Sequence, residues 1–373
     1  MYYLYLIVFG LFSLLGVVHA HSSNNILKSA CLFLFFVVFL SFYSFSHSTG
    51  SDWIAYKPWY DGLARFGFME SFERSWSFEP FFHTLAFAMS KLGFNYQAFI
   101  VLLSFGTVLF YYDIFTRLCK KYALLVLSLF IILYGNRLFM STLRQNVATV
   151  LLFYTYYLYM NKNKKWIFCF VVAIMFHFTA IVFIIVAILD KMKISKMTFI
   201  VATLICAIIA VLDINPFGHF VNFILPLLPQ NGVLAIASKY ITRSLQDNLI
   251  IGVHTRLFYI ALLGFVVVQS KKMTLFHILA FLLVFIMVFF PTIHPMFNRL
   301  RYYFGIGFIY LLINESNFAK NMQPIKLMLI YAFCVTMNLN TYYFTDTYMR
   351  NNYQYNNYLI YKMKFPHIDP YSK

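Results

Sequence analysis

The chain contains 373 residues, of which 62% are hydrophobic and 11% are charged, and it carries a formal net charge of +17. Soluble domains have roughly 25% charged residues, so this composition excludes an ordinary soluble protein. Apolar runs close to the roughly 20-residue length of a membrane helix recur along the whole chain. The runs are continuous, whereas the strands of a membrane barrel alternate. We therefore predict an all-α polytopic membrane protein with about 10–12 transmembrane helices.

The predicted spans follow one another along most of the chain, at 2–19, 26–45, 97–116, 122–140, 145–160, 166–189, 197–213, 255–270, 274–291, 300–314 and 325–340. They form a single multi-span membrane domain at 1–345, with two larger outer-face loops at about 46–79 and 214–254. The last segment, 346–373, is rich in Tyr and Asn. It is predicted to be a polar C-terminal tail.

The charge distribution sets the orientation. Positive charges form small clusters between the spans, at 117–121, 162–165, 191–196 and 271–272. This is the pattern of cytoplasmic loops under the positive-inside rule, so the net charge does not indicate a nucleic-acid partner. The segment 46–79 is the opposite, since it holds five of the twelve acidic residues. We therefore place that segment on the outer face.

Two apolar segments do not fit a single crossing. The run at 80–92 is shorter than a span, so a re-entrant or interfacial segment is predicted there. The run at 166–189 would leave the lysines at 191–196 outside if it crossed once. A broken hairpin that turns near 177–179 would return them to the inside, and we favour it. Irregular backbone at membrane depth is tolerated where it lines a cavity or is buried in protein.

Arg144 is the most informative single residue, because it stands at the start of the apolar run 147–160. A guanidinium near hydrocarbon is costly, so membrane proteins tend to keep one for a partner. Arg137 lies two turns earlier, and the partner that suits several arginines best is an anion, above all phosphate. The alternative is that Arg144 only snorkels to the interface and caps a span.

Further polar residues are placed to reach one outer-face cavity, and with Arg144 the candidates are Asp52, Glu79, His83, Arg137, Gln145, His177, Arg243, His254, Arg256, His294, Arg299 and Arg301. Arginines can neutralise a diphosphate leaving group, and a carboxylate or histidine can take a proton from an attacking hydroxyl. That combination suits glycosyl transfer from a lipid diphosphate. The five cysteines are scattered, and H-x-x-x-H, H-E-x-x-H and D-x-D patterns are absent from the sequence. No metal and no cofactor are therefore predicted.

Four motifs, in order along the chain, resemble those of the EpsG-like family of Wzy-type O-antigen and capsular polysaccharide polymerases. The matching segments are Asp52-x-x-x-Tyr56 with Glu79-Pro80-Phe81-Phe82, Arg144-Gln145-Asn146-Val147-Ala148, Ala173-x-x-Phe176-His177-x-Thr179-Ala180, and Arg299-Leu300-Arg301-Tyr302-Tyr303-Phe304. Each motif is weak alone, but the ordered set covers about 45–305 and is fairly specific.

The resemblance implies a polymerase of lipid-linked repeat units in a bacterial inner membrane, with its active site near the outer face. Such an enzyme transfers a glycan chain from undecaprenyl diphosphate to a hydroxyl of the acceptor unit. The expected partners are the undecaprenyl-diphosphate-linked oligosaccharide, the lipid bilayer and a chain-length regulator. The expected roles are diphosphate binding by the basic and amide residues, and proton transfer by the others. The first group comprises Arg144, Arg299, Arg137, Arg301 and Gln145. In the second group, Glu79 or Asp52 is the base and His177 orients or shuttles a proton.

Each of these residues also has a structural interpretation. Asp52 after Ser51 has the chemistry of a helix cap, and Glu79 before Pro80 resembles a helix start. His177 can be a core histidine, and Arg299 with Arg301 can snorkel to an interface. Two other functions also remain, namely a flippase or transporter of lipid-linked oligosaccharides and a membrane acyltransferase or assembly partner. A transporter would be expected to show paired halves with matching broken helices, and the sequence shows no such symmetry.

Overall fold

The computed structural model describes residues 2–46, 51–74, 78–224, 252–290, 295–314 and 334–335. These residues are almost entirely helical, which confirms the all-α prediction. The chain divides into two compact units, Met1–Ile181 with Leu327–Lys373, and Val182–Lys326. The single domain at 1–345 stays a prediction, and the predicted tail at 346–373 lies outside the described residues.

Before Ile181, the described residues of the first unit form nine α-helices, α1 Tyr2–His21, α2 Asn25–Phe39, α3 Ser51–Leu63, α4 Phe68–Arg74, α5 Pro80–Lys91, α6 Tyr96–Cys119, α7 Ala123–Met140, α8 Leu143–Met160 and α9 Trp166–Phe176. A π-helical turn, Leu40–Ser44, extends α2. Most of the predicted spans in this unit agree with these bounds to within a few residues. The long apolar runs therefore located the helices well.

Helix α7 is the core of the first unit, because its side chains are buried on nearly every face. Helices α1, α6 and α8 pack against it. Gly16 allows the approach of α1, since a Cβ at that position would lie 2.9 Å from the Cα of Leu125. One polar contact between α7 and the π-helical turn is the bond that the Tyr43 hydroxyl donates to Asn136 Oδ1 at 3.0 Å. Such pairing is required where water is absent.

The predicted break in the 166–189 run is confirmed. Helix α9 ends at Phe176, His177 has extended backbone angles, and a 3₁₀ turn follows at Phe178–Val182. Helix α5 has 12 residues, so its length of about 18 Å is less than the roughly 30 Å of the hydrocarbon core. The return of the chain after His177 and the interfacial position of α5 stay predictions.

The second unit contains seven helices within its described residues, α10 Phe183–Lys191, α11 Lys196–Val211, α12 Pro216–Ile224, α13 Val253–Gln269, α14 Leu275–Phe289, α15 Pro295–Phe304 and α16 Ile306–Asn314. The sequence predicted one span at 300–314, but a turn at Gly305 separates α15 from α16. The predicted span at 325–340 lies outside the described residues, apart from 334–335. The loop at 214–254 is described only through Ile224 and from Gly252.

Length and composition identify a membrane protein. Among the described residues, three helical stretches are long and apolar enough to cross a membrane, namely Leu4–His21, Asn25–Ser44 and Tyr96–Met140. The last of these contains both α6 and α7. Four shorter apolar helices add to them, α9, α11, α13 and α14. The number of crossings, about 10–12, stays a prediction.

Candidate functional site

Helices α3, α5 and α8 and the break after α9 bring five polar side chains together within the first unit. They are Asp52, Tyr56, Glu79, Arg144 and His177, and we call them the Glu79 network. Four of the five, all except Tyr56, are residues that the sequence singled out for chemistry. The five come from four separate segments of the chain, at 52–56, 79, 144 and 177, which the fold brings together.

An ion pair between Arg144 and Glu79 joins α8 to the start of α5. Arg144 Nη1 donates to Glu79 Oε2, and Arg144 Nε donates to the Tyr56 hydroxyl at 2.9 Å. Both side chains of the pair are only 16% exposed. The guanidinium also lies over the ring of Phe78, at 4.8 Å from the centroid, which favours the cation. Arg144 is thus held in the protein and does not extend to the interface as a snorkelling side chain.

His177 binds the other oxygen of the same carboxylate. Its Nδ1 lies 2.8 Å from Glu79 Oε1, and the backbone N–H of Phe178 donates to that oxygen at 3.3 Å. An ionised carboxylate can only accept, so Nδ1 carries the proton and the opposite nitrogen, Nε2, is the basic one. The helix break explains this geometry, because a continuing helix would have used the Phe178 N–H internally.

Glu79 occupies the N-cap position of α5, with Pro80 at the first helical residue, but its side chain makes no capping hydrogen bond. Its oxygens bind Arg144 and His177 instead, so helix capping does not account for the side chain. Glu79 precedes α5 and lies outside the candidate membrane-spanning helices. Burial would raise the pKa of the Glu79 carboxyl, but the hydrogen bond from His177 and the positive charge of Arg144 outweigh burial and hold the pKa at about 2.

This pKa predicts how acid affects the fold. The pKa of Glu79 falls from an ordinary 4.5 to about 2 on folding, so the ionised network stabilises the protein above about pH 4.5, by roughly 3 kcal/mol at most. That stabilisation is lost as the pH falls from 4.5 towards 2. We expect the unfolding temperature of the purified protein to exceed that of Glu79→Gln at neutral pH, and the difference to shrink below about pH 4.5.

The control for this measurement is Glu70→Gln, because Glu70 pairs with Arg74 on the surface and both side chains are more than half exposed. Exposed pairs contribute little to stability, so this variant should follow the wild-type curve. A difference between wild type and Glu79→Gln that stays constant with pH would contradict the assignment of an ionised, paired Glu79.

Asp52 and Tyr56 complete the network from α3. The Tyr56 hydroxyl interacts with the carboxylate of Asp52, one turn earlier, while it accepts from Arg144. Burial and the negative charge of Asp52 raise the pKa of Tyr56 far above its ordinary range, although the charge of Arg144 opposes them. Tyr56 therefore stays neutral and links Asp52 to Arg144. The sequence analysis did not assign Tyr56 to the site, although its spacing of four residues from Asp52 places both on one helix face.

The remaining predicted ligands lie on α7, α8 and α15. Arg137 is half-buried on α7, and Gln145 is buried on α8 beside Arg144. Arg299 and Arg301 are half-buried on α15, in the second unit. Their roles as diphosphate ligands stay predictions.

Of the other candidate residues, two are buried and two lie outside the described residues. His83 is buried in the first unit, where its Nε2 lies 3.2 Å from the hydroxyl of Ser71. Arg256 is 1% exposed and pairs with Asp213 within the second unit. Its burial explains the pairing, because a buried cation is costly when it is left alone. Arg243 and His294 lie outside the described residues.

No group of three or more His, Cys, Asp and Glu side chains with the geometry of a metal site occurs in the described part of the chain. The comparisons with known proteins give one match. The model of the EpsG family matches residues 29–360, which is most of the chain. No curated protein and no solved structure matches the chain.

Proposed function

Because the chain belongs to the EpsG family, a polysaccharide-related family of membrane proteins, we propose that it polymerises lipid-linked polysaccharide repeat units. The product would be an O-antigen, a capsule or an exopolysaccharide. The enzyme would transfer a glycan chain from undecaprenyl diphosphate to an acceptor unit, near the outer face of a bacterial inner membrane. The acidic character of the segment 46–79, which ends at Glu79, supports that side.

One observation carries the proposal. A single carboxylate, Glu79, binds a guanidinium through one oxygen and an imidazole through the other, in a largely buried network. Glycosyl transfer from a diphosphate needs a cation for the leaving group and an acceptor for the hydroxyl proton. Arg144 and His177 supply these two groups side by side. A purely structural ion pair has no need of the imidazole.

The geometry favours His177 as the base, with Glu79 as the residue that holds it. The sequence analysis assigned the proton to Glu79 or Asp52, and gave His177 the orienting role. A carboxyl whose pKa lies at about 2 binds a proton weakly at neutral pH, so Glu79 is poorly matched to general-base catalysis. It is well matched to keeping the imidazole of His177 in the tautomer that leaves Nε2 basic, as in a carboxylate–histidine pair of a hydrolase triad.

The proposed reaction transfers the donor chain from the diphosphate to the acceptor hydroxyl. The acceptor hydroxyl attacks the anomeric carbon of the donor chain and passes its proton to His177. The new glycosidic carbon–oxygen bond forms as the bond between the anomeric carbon and the diphosphate breaks. Undecaprenyl diphosphate leaves with its electron pair, and Arg144 neutralises the charge that develops on it. Arg137, Arg299, Arg301 and Gln145 are the further ligands that we propose for the two phosphates.

The rival function is that of a flippase for lipid-linked oligosaccharides, which would also use a basic cavity. The paired imidazole and carboxylate fit an enzyme, because glycosyl transfer needs an acceptor for the proton of the attacking hydroxyl. A membrane acyltransferase would also use a histidine. That reaction would take its acyl group from a cytoplasmic thioester, whereas the charge pattern of the sequence predicts that the network lies on the opposite side.

Cells that lack the protein distinguish the two functions. We expect them to accumulate lipid-linked single repeat units that a membrane-impermeant sugar-labelling reagent can reach in intact cells. Long chains should be absent, and the wild-type gene should restore them. Single repeat units that become accessible only after the cells are lysed would point to a flippase and would overturn the proposal. Unchanged long chains would also overturn it.

A further inference from the structure

An apolar cavity of about 460 Å³ lies within the first unit, between α5, α6, α8 and α9. Its volume is in the range of roughly 300–1,000 Å³ that is usual for small-molecule sites. The lining includes two residues with hydroxyl groups, but both hydroxyls donate hydrogen bonds within the protein. Thr107 donates to the carbonyl of Leu103, and Tyr154 donates to Asp113. The cavity therefore offers an occupant almost no hydrogen bonds.

Three of the four helices that line the cavity begin or end beside the Glu79 network. Helix α5 follows Glu79 directly, Val147 lines the cavity one turn after Arg144, and Phe176 lines it immediately before His177. From Val147 to Tyr154 the lining follows α8 for about 10 Å away from the network. On one side the cavity is open to the surface of the first unit, where Leu102 and Phe110 are 52% and 59% exposed. An occupant can thus have one end beside Arg144 and the other among apolar side chains.

We propose that this cavity binds the first isoprene units of the polyprenyl tail of the donor, with the diphosphate beside Arg144. The inference rests on the proposed function and adds to it the part of the protein that recognises the carrier lipid. Two features at the start of α8, one turn before Val147, favour an anionic head. Arg144 supplies a cation, and the N-terminus of α8 has no side-chain cap, so its N–H groups add positive potential.

The tail of a polyprenyl diphosphate fits this arrangement better than a phospholipid. Its single apolar chain is attached directly to the diphosphate, so that head and tail are adjacent, as Arg144 and Val147 are. A phospholipid has two chains and a glycerol between them and its phosphate. The lining of the cavity comes within one turn of the network, at Val147 and Phe176, and it has almost no polar surface for a glycerol.

Gly106 provides the test, because it lines the cavity from α6 and a Cβ at this position would meet no atom within 4 Å. The substitutions Gly106→Leu and Gly106→Phe would project into the cavity and fill it by degrees. They replace a helical glycine with better helix formers, so the helix should be retained. The matched control is Gly264→Phe on α13 of the second unit, where a Cβ also meets nothing within 4 Å.

The experiment measures binding of undecaprenyl diphosphate to the purified proteins in phospholipid nanodiscs, and of inorganic diphosphate to the same samples. We expect Gly106→Phe to weaken binding of undecaprenyl diphosphate about tenfold or more, a change of about 1.4 kcal/mol. Gly106→Leu should weaken it less, and Gly264→Phe should leave it unchanged. Binding of inorganic diphosphate should be equal in all four proteins, which also reports that the head site is folded.

Two outcomes would overturn the inference, and a third separates it from the proposed function. If Gly106→Phe binds undecaprenyl diphosphate as tightly as wild type does, the tail lies elsewhere. If the variant only displaces co-purified phospholipid, the cavity belongs to the bilayer lipid. If the wild-type protein itself does not bind undecaprenyl diphosphate, the proposed function fails, and the inference fails with it.

Discussion

Replacement of Arg144 by alanine should stop polymerisation. We expect cells with Arg144→Ala to produce at least about a hundredfold less long-chain polysaccharide and to accumulate lipid-linked single repeat units, because the loss of one preorganised charge at a developing anion costs about that factor. Gel analysis of the glycans and extraction of the lipid-linked units measure both effects. Normal long chains in Arg144→Ala would remove this residue from the mechanism.

Arg144→Lys should fall between wild type and the alanine variant. An ammonium keeps the charge, but it is a compact point charge and lacks the planar fork of a guanidinium. It therefore cannot reproduce both the Nη1 bond to Glu79 and the Nε bond to Tyr56. A lysine that restores full activity would show that only charge matters and that the observed contacts do not.

Loss of Arg144 could also destabilise the protein, because it leaves Glu79 part-buried without its cation. The double variant Arg144→Ala with Glu79→Gln separates stability from chemistry, since it removes both charges. We expect it to recover protein level and unfolding temperature but not polymer. Arg117→Ala is the control for an arginine–carboxylate pair elsewhere in the first unit. Arg117 pairs with Asp113 where both side chains are about half exposed, and polymer length should be unaffected by its loss.

The sequence was most informative about the helices. Long continuous apolar runs have few alternatives in a membrane, so the bounds of α6, α7 and α8 were predicted to within a few residues. The break after α9 was also predicted, but from charge. The lysines that follow α10 required a second reversal if they were to lie inside. The turn between α15 and α16 was missed, because Gly305 is a single glycine in an otherwise apolar segment and single glycines are tolerated within helices.

The site was predicted by residue type but not by pairing. Arg144, Glu79 and His177 were each singled out, yet the sequence analysis predicted a phosphate as the partner of Arg144, whereas in the fold it pairs with Glu79. These two residues are 65 positions apart, and Glu79 and His177 are 98 apart. Local periodicity contains no information about such contacts. For the same reason, the sequence analysis included Tyr56 only as part of a motif, because its contribution to the site is the hydrogen bond that it accepts from Arg144.

The paired Arg144 and Glu79 suggest how substrate binding and proton transfer are coupled. In the structure the guanidinium is held by a carboxylate, so a diphosphate must share or replace that contact. As the phosphates draw on the positive charge of Arg144, Glu79 loses part of what keeps its pKa low and holds the proton of His177 Nδ1 more strongly. If His177 is the base, it would then be a stronger base when the donor is bound. The network would thus link the arrival of the leaving group to the activation of the nucleophile.

If His177 and Glu79 act as one unit, their losses should not add. We expect His177→Gln and Glu79→Gln each to lower the turnover of purified protein on lipid-linked repeat units by about 10²–10⁴-fold, the range for a positioned general base. The double variant should be no slower than the slower single variant, since either change removes the carboxylate–imidazole pair joined by the 2.8 Å contact between Nδ1 and Oε1. His21→Gln is the matched control, because His21 is exposed and bonds only locally, to the carbonyl of Val17. Turnover losses that multiply in the double variant would show two independent roles, and equal turnover in His177→Gln and wild type would move the proton acceptor to Asp52 or to the substrate.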